Sequence, residues 1–421
     1  MAKIKDKRAG KKLMNIDKKT LAKRNLMLVI GIFSMLFAGV IYAWSIIKAP
    51  LSSEFGWSAP DLALNFTLTM CAFCLGGFLG SILSKKIGVK IPTVASGVIA
   101  GLGFILTATL QAGAHVSLLY LTYALMAGGG IGVVYNVIIS TVNAWFPDKK
   151  GFCSGCLMMG FGASTLVLGN LASKLFSISK IGWRNTYIIL GIALGVSLII
   201  TGIFLSRPEK DDILPSPTVA NKKDENFERR DYTPAQMIRR SSFWRAFILL
   251  ICLTAVGSSV ISFARDLALS VGAEAGLATT LVGVLSVCNG LGRIITGKTF
   301  DLIGRRKTMI AANVLTILAS GITLIAVYAS SLPLCIIGLC LTGMSYGSSP
   351  TVSSAFSSAF YGMKHFATNF SIMNFNLMIA SFVATACSKL LEFEGTYTAP
   401  FILLLALSGL ALALNLSIKK P

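Results

Sequence analysis

The sequence predicts an all-α membrane protein in which twelve transmembrane helices form two pseudo-symmetric halves of six. Of its 421 residues, 54% are hydrophobic and 13% are charged, and the mean hydropathy is +0.74. This composition is typical of polytopic membrane proteins. Apolar runs of about twenty residues, enough helix to cross some 30 Å of hydrocarbon, recur along the chain. Related loop sequences follow the second and the eighth run, which indicates two related halves.

The N-terminal half is predicted to cover residues 26–206, after a Lys-rich tail over residues 1–25. The fourth run contains the glycine-rich stretch Gly128–Gly132, but no strand precedes it and no Lys-Ser/Thr follows, so it predicts tight helix packing, not a phosphate loop. The expected helices of this half cover residues 26–47, 62–83, 91–112, 118–142, 152–174 and 186–206.

The C-terminal half is predicted to cover residues 243–418, after a cytoplasmic linker over residues 207–242. The composition of the linker turns abruptly to charged residues and prolines, which excludes a membrane span. The expected helices of this half cover residues 243–264, 278–297, 309–329, 332–354, 369–388 and 399–418.

The formal net charge of +21 is distributed unevenly between the two predicted membrane faces. With a cytoplasmic N-terminus, most of the Lys and Arg residues fall on one face, in the tail, the linker and turns such as Arg305–Lys307. This asymmetry predicts cytoplasmic termini, in a protein of the cell membrane whose tail contacts anionic lipid. It excludes nucleic acid as the reason for the charge. The first apolar run has full length and is expected to stay as a span.

The nine cysteines include two CxxC pairs, Cys71/Cys74 and Cys153/Cys156. In a soluble protein this spacing would raise the question of a zinc or redox site. Here each pair lies in or at the start of an apolar helix without neighbouring His or acidic ligands. We therefore expect small packing residues, and no metal or cofactor.

Arg293 lies inside an apolar segment that runs from about Thr279 to Thr296. A cation in a membrane-spanning helix costs at least about 2.5–3.5 kcal/mol, so it normally faces protein or water and meets an anion. The position therefore predicts a substrate with a negative group. An alternative is that Arg293, only a turn or two before the expected polar turn at Gly297, extends its side chain to the lipid headgroups.

The segments Gly80–Lys90 and Gly297–Lys307 carry glycines and basic residues at the same spacing, six spans apart. Such a repeat is typical of transporters built from two halves around a site at the membrane midplane. We expect Gly297 to permit a tight turn and the carboxylate of Asp301 to meet a helix N-terminus. The first copy has Ser84 in place of the acid, so its contact should be weaker.

The chain resembles the major facilitator superfamily, and within it the oxalate/formate antiporter and monocarboxylate transporter relatives. The residues that carry the resemblance are Tyr42–Ser45 with Pro50-Leu51, Gly130–Gly132 with Tyr135, Trp145–Gly151, Asn289–Arg293 with Asp301–Arg306, and Tyr361-Gly362 with His365 and Asn369-Phe370. The resemblance covers essentially all twelve spans.

This resemblance implies that Arg293 pairs with a substrate carboxylate and that Tyr42, Tyr135 and Tyr346 enclose the substrate. Buried aromatic side chains also commonly fill space, which is the alternative for each tyrosine. Two further residues complete the expected substrate-binding set: Trp44, in the same motif as Tyr42, and Asn289, one helical turn before Arg293.

Two departures from the family pattern narrow the expected chemistry. By the resemblance, the oxalate/formate antiporters have a second cation, a lysine, in span 11 where the best register puts Leu377, so a dicarboxylate would meet one fixed charge here instead of two. Many proton-coupled monocarboxylate relatives have an Asp where Asn289 stands, and Asn cannot carry the proton. A monocarboxylate is therefore favoured over oxalate, and proton symport through that pair is not supported.

The predicted function is transport of a small organic anion by alternating access in a monomer, either secondary active or facilitated. An oxalate/formate-type antiporter and an exporter of amphipathic compounds are the alternatives, and the exporter would require acidic residues in the cavity, which the sequence does not supply. A sensor or membrane enzyme is disfavoured because His115 and His365 fall in loops and no nucleophile, base and acid cluster together.

Overall fold

The computed structural model describes residues 18–209, 212, 214 and 231–418, and these form a bundle of helices. Most of the predicted basic tail and linker, and Lys419 and Lys420, lie outside the described residues. Twelve helices are long and apolar enough to cross a membrane, which confirms the predicted number. They are α1 Lys19–Ala43, α2 Leu64–Lys86, α3 Lys90–Ala108, α4 Val116–Trp145, α5 Lys150–Phe176, α6 Gly182–Phe204, α7 Ser241–Ser270, α8 Gly276–Ile303, α9 Arg305–Tyr328, α10 Leu332–Tyr361, α11 Phe366–Glu394 and α12 Thr398–Ser417.

Helix pairing within the two halves follows the same order. In the N-terminal half α1 packs on α5, α2 on α4 and α3 on α6; in the C-terminal half α7 packs on α11, α8 on α10 and α9 on α12. The halves meet along two seams, α5 against α8 and α2 against α11. Each helix in a seam therefore contacts both its own half and the other, as expected for a site between the halves.

Acidic residues near the first spans lie at helix ends, as predicted. Asp61 forms a capping box with Ser58 ahead of α2: its carboxylate accepts from the backbone N–H of Ser58, and the hydroxyl of Ser58 accepts from the backbone N–H of Asp61. Glu54 binds Arg184 at 2.8 Å and accepts a hydrogen bond from Trp183 at the start of α6. These carboxylates hold helix ends together away from the middle of the bundle.

α8 is longer than predicted, and this changes the position of Arg293. The turn expected at Gly297 is wrong: the helix continues to Ile303, and the chain turns at Gly304, whose φ is +79°. Gly297 lies instead inside α8 against α5, where a Cβ atom would collide with the carbonyl oxygen of Gly151. The polar residues after Thr296 can belong to α8 because Asp301 hydrogen-bonds α5 and Lys298 is exposed.

We expect Gly297→Val to force α5 and α8 apart, since its first side-chain carbon would meet backbone and not a flexible side chain. Overpacking of this kind costs about 1–3 kcal/mol, so the thermal midpoint of the purified protein should fall by several degrees. The matched control is Gly283→Val in the same helix, where nothing lies within 4 Å of the added carbon. An equal fall in both variants would show that helix propensity, not the close approach, explains the loss.

Candidate anion site between the two halves

Arg293 is the centre of the candidate site, and its side chain is 2% exposed. Nε donates to Oδ1 of Asn289 at 3.1 Å, one turn earlier on α8, and Nη1 donates to the backbone carbonyl of Met158 on α5. The alternative, in which the side chain of Arg293 extends to the lipid headgroups, is therefore wrong. The guanidinium reaches across to the other half of the protein, whereas an extending side chain would leave the bundle.

The continuation of α8 places Arg293 deep in the bundle. This residue lies seventeen residues after Gly276 and ten before Ile303, which at 1.5 Å per residue puts its backbone about 5 Å from the midpoint of the helix. Gly162 on α5 makes room for the charge: a Cβ atom there would lie 3.1 Å from Cζ of Arg293.

Three tyrosines from α1, α4 and α10 surround the charge. Tyr42, Tyr135 and Tyr346 are each close enough to Arg293 to interact electrostatically, and the hydroxyls of Tyr42 and Tyr346 are hydrogen-bonded to each other. Tyr42 belongs to a tight 3₁₀ turn, Gly39–Ala43, that ends α1. The structure thus brings together four of the six expected residues, from both halves, and Asn289 joins them through its hydrogen bond with Arg293.

Trp44 lies apart from this cluster. Its indole nitrogen donates to the carbonyl of Leu62 at 3.0 Å, and its ring packs on Tyr123 with 4.6 Å between the centroids. Its recorded contacts are therefore within the N-terminal half. A direct contact between Trp44 and a substrate stays a prediction.

Three components of the site were not predicted from the sequence. The ring of Phe161 on α5 packs edge-on against Tyr42 and Tyr135, at 5.1 and 5.0 Å. The carbonyl of Met158 and the bare backbone at Gly162 complete the surroundings of the guanidinium. Nothing in the sequence identifies which backbone carbonyl will bind Arg293. A glycine in an apolar helix, as in Phe161-Gly162, does indicate that a neighbouring helix can approach closely there.

The recorded partners of Arg293 in the described part of the chain are neutral. The ion pairs recorded there are Lys23 with Asp212, Arg24 with Asp148 and Arg184 with Glu54, and none of them involves Arg293. A guanidinium has five N–H donors, and the two hydrogen bonds use Nε and Nη1, so donors remain for another acceptor. A buried, uncompensated cation with free donors is suited to a carboxylate, which it can hold through two parallel bonds.

One end of the bundle, which we call the basic end, carries the turns with Lys85–Lys90, Lys149-Lys150 and Arg305–Lys307. Between Arg293 and this end the halves are closed by hydrogen bonds. In the centre, Asn143 donates to Ser154 at 2.7 Å and Ser154 bonds Ser354 of the other half at 2.8 Å. We call these three residues the central gate. The buried charge is therefore sealed from the basic end.

The two seams are closed differently beside this gate. Along α5 and α8, the carboxylate of Asp301 accepts from the backbone N–H groups of Gly151 and Phe152 at 3.0 and 2.8 Å. Along α2 and α11, Lys85 and Ser81 both donate to the hydroxyl of Thr368. Ser84 bonds the carbonyl of Ser81 in its own helix. The acid thus meets a helix N-terminus in one repeat, as predicted, and Ser84 does not cross in the other.

The family model of the Major Facilitator Superfamily matches residues 26–272 and 247–421. The chain belongs to the major facilitator superfamily. The match covers both halves, including every helix that contributes to the site. The twelve-helix fold and the resemblance deduced from the sequence motifs are thereby confirmed.

Individual relatives include transporters of organic acids. An uncharacterized MFS-type transporter, YhjX of Escherichia coli K12, is 26% identical over 363 residues, which are 85% of this chain and 86% of the relative. The oxalate:formate antiporter of Oxalobacter formigenes is 27% identical over 290 residues, 69% of this chain and 66% of the antiporter. Human monocarboxylate transporter 11 is 29% identical over 153 residues, 36% of this chain and 31% of that protein.

Solved structures of this superfamily share the fold at low sequence identity. The proton:xylose symporter XylE superposes with a TM-score of 0.75 at 13% identity, covering 95% of this chain and 97% of that one. The E. coli fucose:proton symporter FucP gives a TM-score of 0.68 at 12% identity, covering 95% and 100%. These neighbours establish the architecture of the transporter and not its substrate.

We expect Asp301→Asn to loosen the basic end, because it removes the charge and one of two acceptors for the N-terminus of α5. A hydrogen bond to a charged group stabilises by about 1.5–3 kcal/mol, and a loss of about 1.4 kcal/mol favours the open form roughly tenfold. Cys153, fully buried beside this contact, reports the opening. Its alkylation rate, followed by mass spectrometry, should rise about tenfold.

The control for this variant is Asp266→Asn, which removes an exposed acid near the other end of the C-terminal half. It should leave the alkylation rate of Cys153 unchanged. Equal rates in the wild type and Asp301→Asn would show that the carboxylate does not hold the seam closed.

Proposed function

We propose that this transporter carries a small organic anion, most simply a monocarboxylate, across the cell membrane, and that Arg293 binds the carboxylate. The observation that carries the proposal is the buried guanidinium at mid-depth, with neutral partners and contacts to both halves. The similarity to an oxalate:formate antiporter and to monocarboxylate transporters supports an organic acid as the substrate.

The arrangement of the tyrosines supports a compact substrate. Tyr42 and Tyr346 interact with each other and with the charge of Arg293, so a bound carboxylate would exchange the contact between them for hydrogen bonds with their hydroxyls. Leu377, where the antiporters have a second cation, is a partly buried apolar residue packed against the N-terminal core. One fixed charge balances one carboxylate, which favours a monocarboxylate over oxalate.

The coupling that the site supports is exchange or facilitated movement. Asn289 occupies the position from which an acid could pass a proton to the substrate, and it instead orients Arg293. With the basic end facing the cytoplasm, the closed gate bars access to Arg293 from the cytoplasmic side. Transport requires the central gate and both seams to part while the opposite side closes around Arg293.

We expect a monocarboxylate to raise the thermal midpoint of the purified protein, and Arg293→Ala to abolish the rise. A ligand at a hundred times its Kd stabilises the folded state by about 2.7 kcal/mol. The screen includes formate, lactate, aromatic acids, oxalate and cationic amphipathic compounds. Lys298→Gln, which removes an exposed cation from the same helix, is the matched control and should respond like the wild type.

Equal stabilisation of wild type and Arg293→Ala by the active acid would contradict this role for Arg293. Stronger stabilisation by oxalate than by any monocarboxylate would favour the antiporter-type alternative. A response confined to cationic compounds would favour an exporter.

We expect Tyr42→Phe and Tyr346→Phe each to raise the apparent KM for the identified acid about five- to fifteen-fold in proteoliposomes. The reason is the net loss of one hydrogen bond, about 1–1.5 kcal/mol. Tyr123→Phe is the control, since it removes a buried hydroxyl with no recorded partner in the described chain. An unchanged KM in both site variants would indicate that these rings only fill space.

A further inference from the structure

A cavity lies at the basic end, on the other side of the central gate from Arg293. It has a volume of about 440 Å³ and is bounded by both halves. Its lining residues are Lys85, Ser140, Asn143, Ala144, Pro147 and Lys150 from the N-terminal half, Arg207 just after the last helix of that half, and Met363, Lys364, His365, Phe366 and Ala367 from the C-terminal half. It is large enough for several water molecules or a polyatomic ion.

The charge of this cavity is strongly positive. Four of its lining residues are Lys or Arg, and no Asp or Glu is among the described residues that line it. Lys85 and Arg207 repel each other across it. Arg207 reaches solvent, but partial desolvation in the cavity lowers its pKa. The pKa of His365 is also lowered, first by burial and then by Lys85 and Lys364, while Asp231 acts in the opposite direction.

The positive side chains of the cavity lie close together, and the nearby carboxylates bind backbone N–H groups. Asp301 caps α5, and Asp231 accepts a hydrogen bond from the backbone N–H of Lys364 at 3.1 Å. Lys85 has a neutral partner, the hydroxyl of Thr368, at 2.8 Å. Convergent cations in a concave site, with low-dielectric walls from Phe366 and Met363, concentrate anions.

The central gate separates this cavity from the candidate substrate site. Asn143 lines the cavity and also belongs to the gate, where it donates to Ser154. An ion in the cavity would thus sit directly beneath the closed gate. Because Arg207 directly follows the N-terminal half and Lys364 belongs to the C-terminal half, an ion bound to both would join the halves across the opening that transport requires.

We propose that this cavity binds a multivalent phosphate-type oxyanion, which bridges Arg207 and Lys364 and holds the basic end closed. Several cations around one concave site fit a group with more than one negative charge better than a single carboxylate, which has its own site at Arg293. The phosphate comes either from a soluble ion or from a lipid headgroup, since the cavity opens at the end of the bundle where both are available.

The test uses the full-length protein in a neutral detergent and pyrophosphate as the probe. We expect a saturable rise in the thermal midpoint of the wild type. Arg207→Gln and Lys364→Gln should each abolish it, because the ion joins both halves. Both residues are exposed, and each change relieves like-charge repulsion, so the variants should fold. The control Lys86→Gln/Lys90→Gln removes two exposed cations that do not line the cavity and should keep the response.

A second arm compares nanodiscs of zwitterionic lipid with nanodiscs that contain phosphatidic acid. A midpoint raised by phosphatidic acid and lost in Arg207→Gln supports the same site and assigns the phosphate to a headgroup; a response to pyrophosphate assigns it to a soluble ion. The proposal is overturned if neither probe acts, or if the control loses the response as fully as the cavity variants.

This inference is independent of the substrate. Arg293→Ala should keep the response to pyrophosphate while losing the response to a carboxylate. Failure at Arg293 and failure at the basic cavity are therefore separate outcomes. A response to pyrophosphate that vanishes in Arg293→Ala and persists in Arg207→Gln would place the ion in the central site and overturn the second one.

Discussion

The solvation of one buried positive charge determines much of this structure. Arg293 lies near the middle of the membrane bundle, where a cation is expensive, and the protein supplies an amide oxygen and a carbonyl oxygen but no recorded carboxylate within the described residues. Neutral oxygens make the charge tolerable without cancelling it. Under the proposed function, a carboxylate partner would compete with the substrate for this charge. The surrounding tyrosines add polar groups that the proposed substrate would displace without leaving a second charge unpaired.

Neutral polar groups also form the contact between the halves. Lipid does not drive helices together by the hydrophobic effect, so hydrogen bonds and close packing must define the contact. The hydroxyl and amide side chains of Asn143, Ser154 and Ser354 meet across the halves. Such groups can form bonds with water once the halves part, so the interface can open and close repeatedly. An interface of large apolar side chains would lack this alternative partner.

The fold could be predicted from the sequence because its determinants are local. Helix number follows from apolar run length, and the two-half organisation from the repeat at Gly80 and Gly297. Arg293 was found because a cation in an apolar run is rare. The end of α8 was misplaced because Gly297 and Lys298 resemble a turn when read along one helix. Only the packing of Gly297 against Gly151 shows why the helix continues.

Side-chain partners at the site depend on distances between helices that are remote in sequence. Nothing local to Met158 or Phe161 indicates that one would bond Arg293 and the other would support two tyrosines. Trp44 illustrates the converse. It shares a motif with Tyr42, but two residues along a helix change the direction of a side chain by about 200°, which turns Trp44 towards Tyr123 in its own half.

The unequal seams have a mechanical consequence. On one side, a carboxylate holds two backbone donors of α5; on the other, a lysine and a serine share one hydroxyl of α11. The α2 and α11 edge is joined by side-chain hydrogen bonds, among them one from Ser371 to the carbonyl of Gly77, whereas Gly151 and Gly297 bring the backbones of α5 and α8 together along the other edge. Opening the basic end therefore separates close-packed backbones on one edge and side-chain contacts on the other, so the two edges contribute unequally to the barrier.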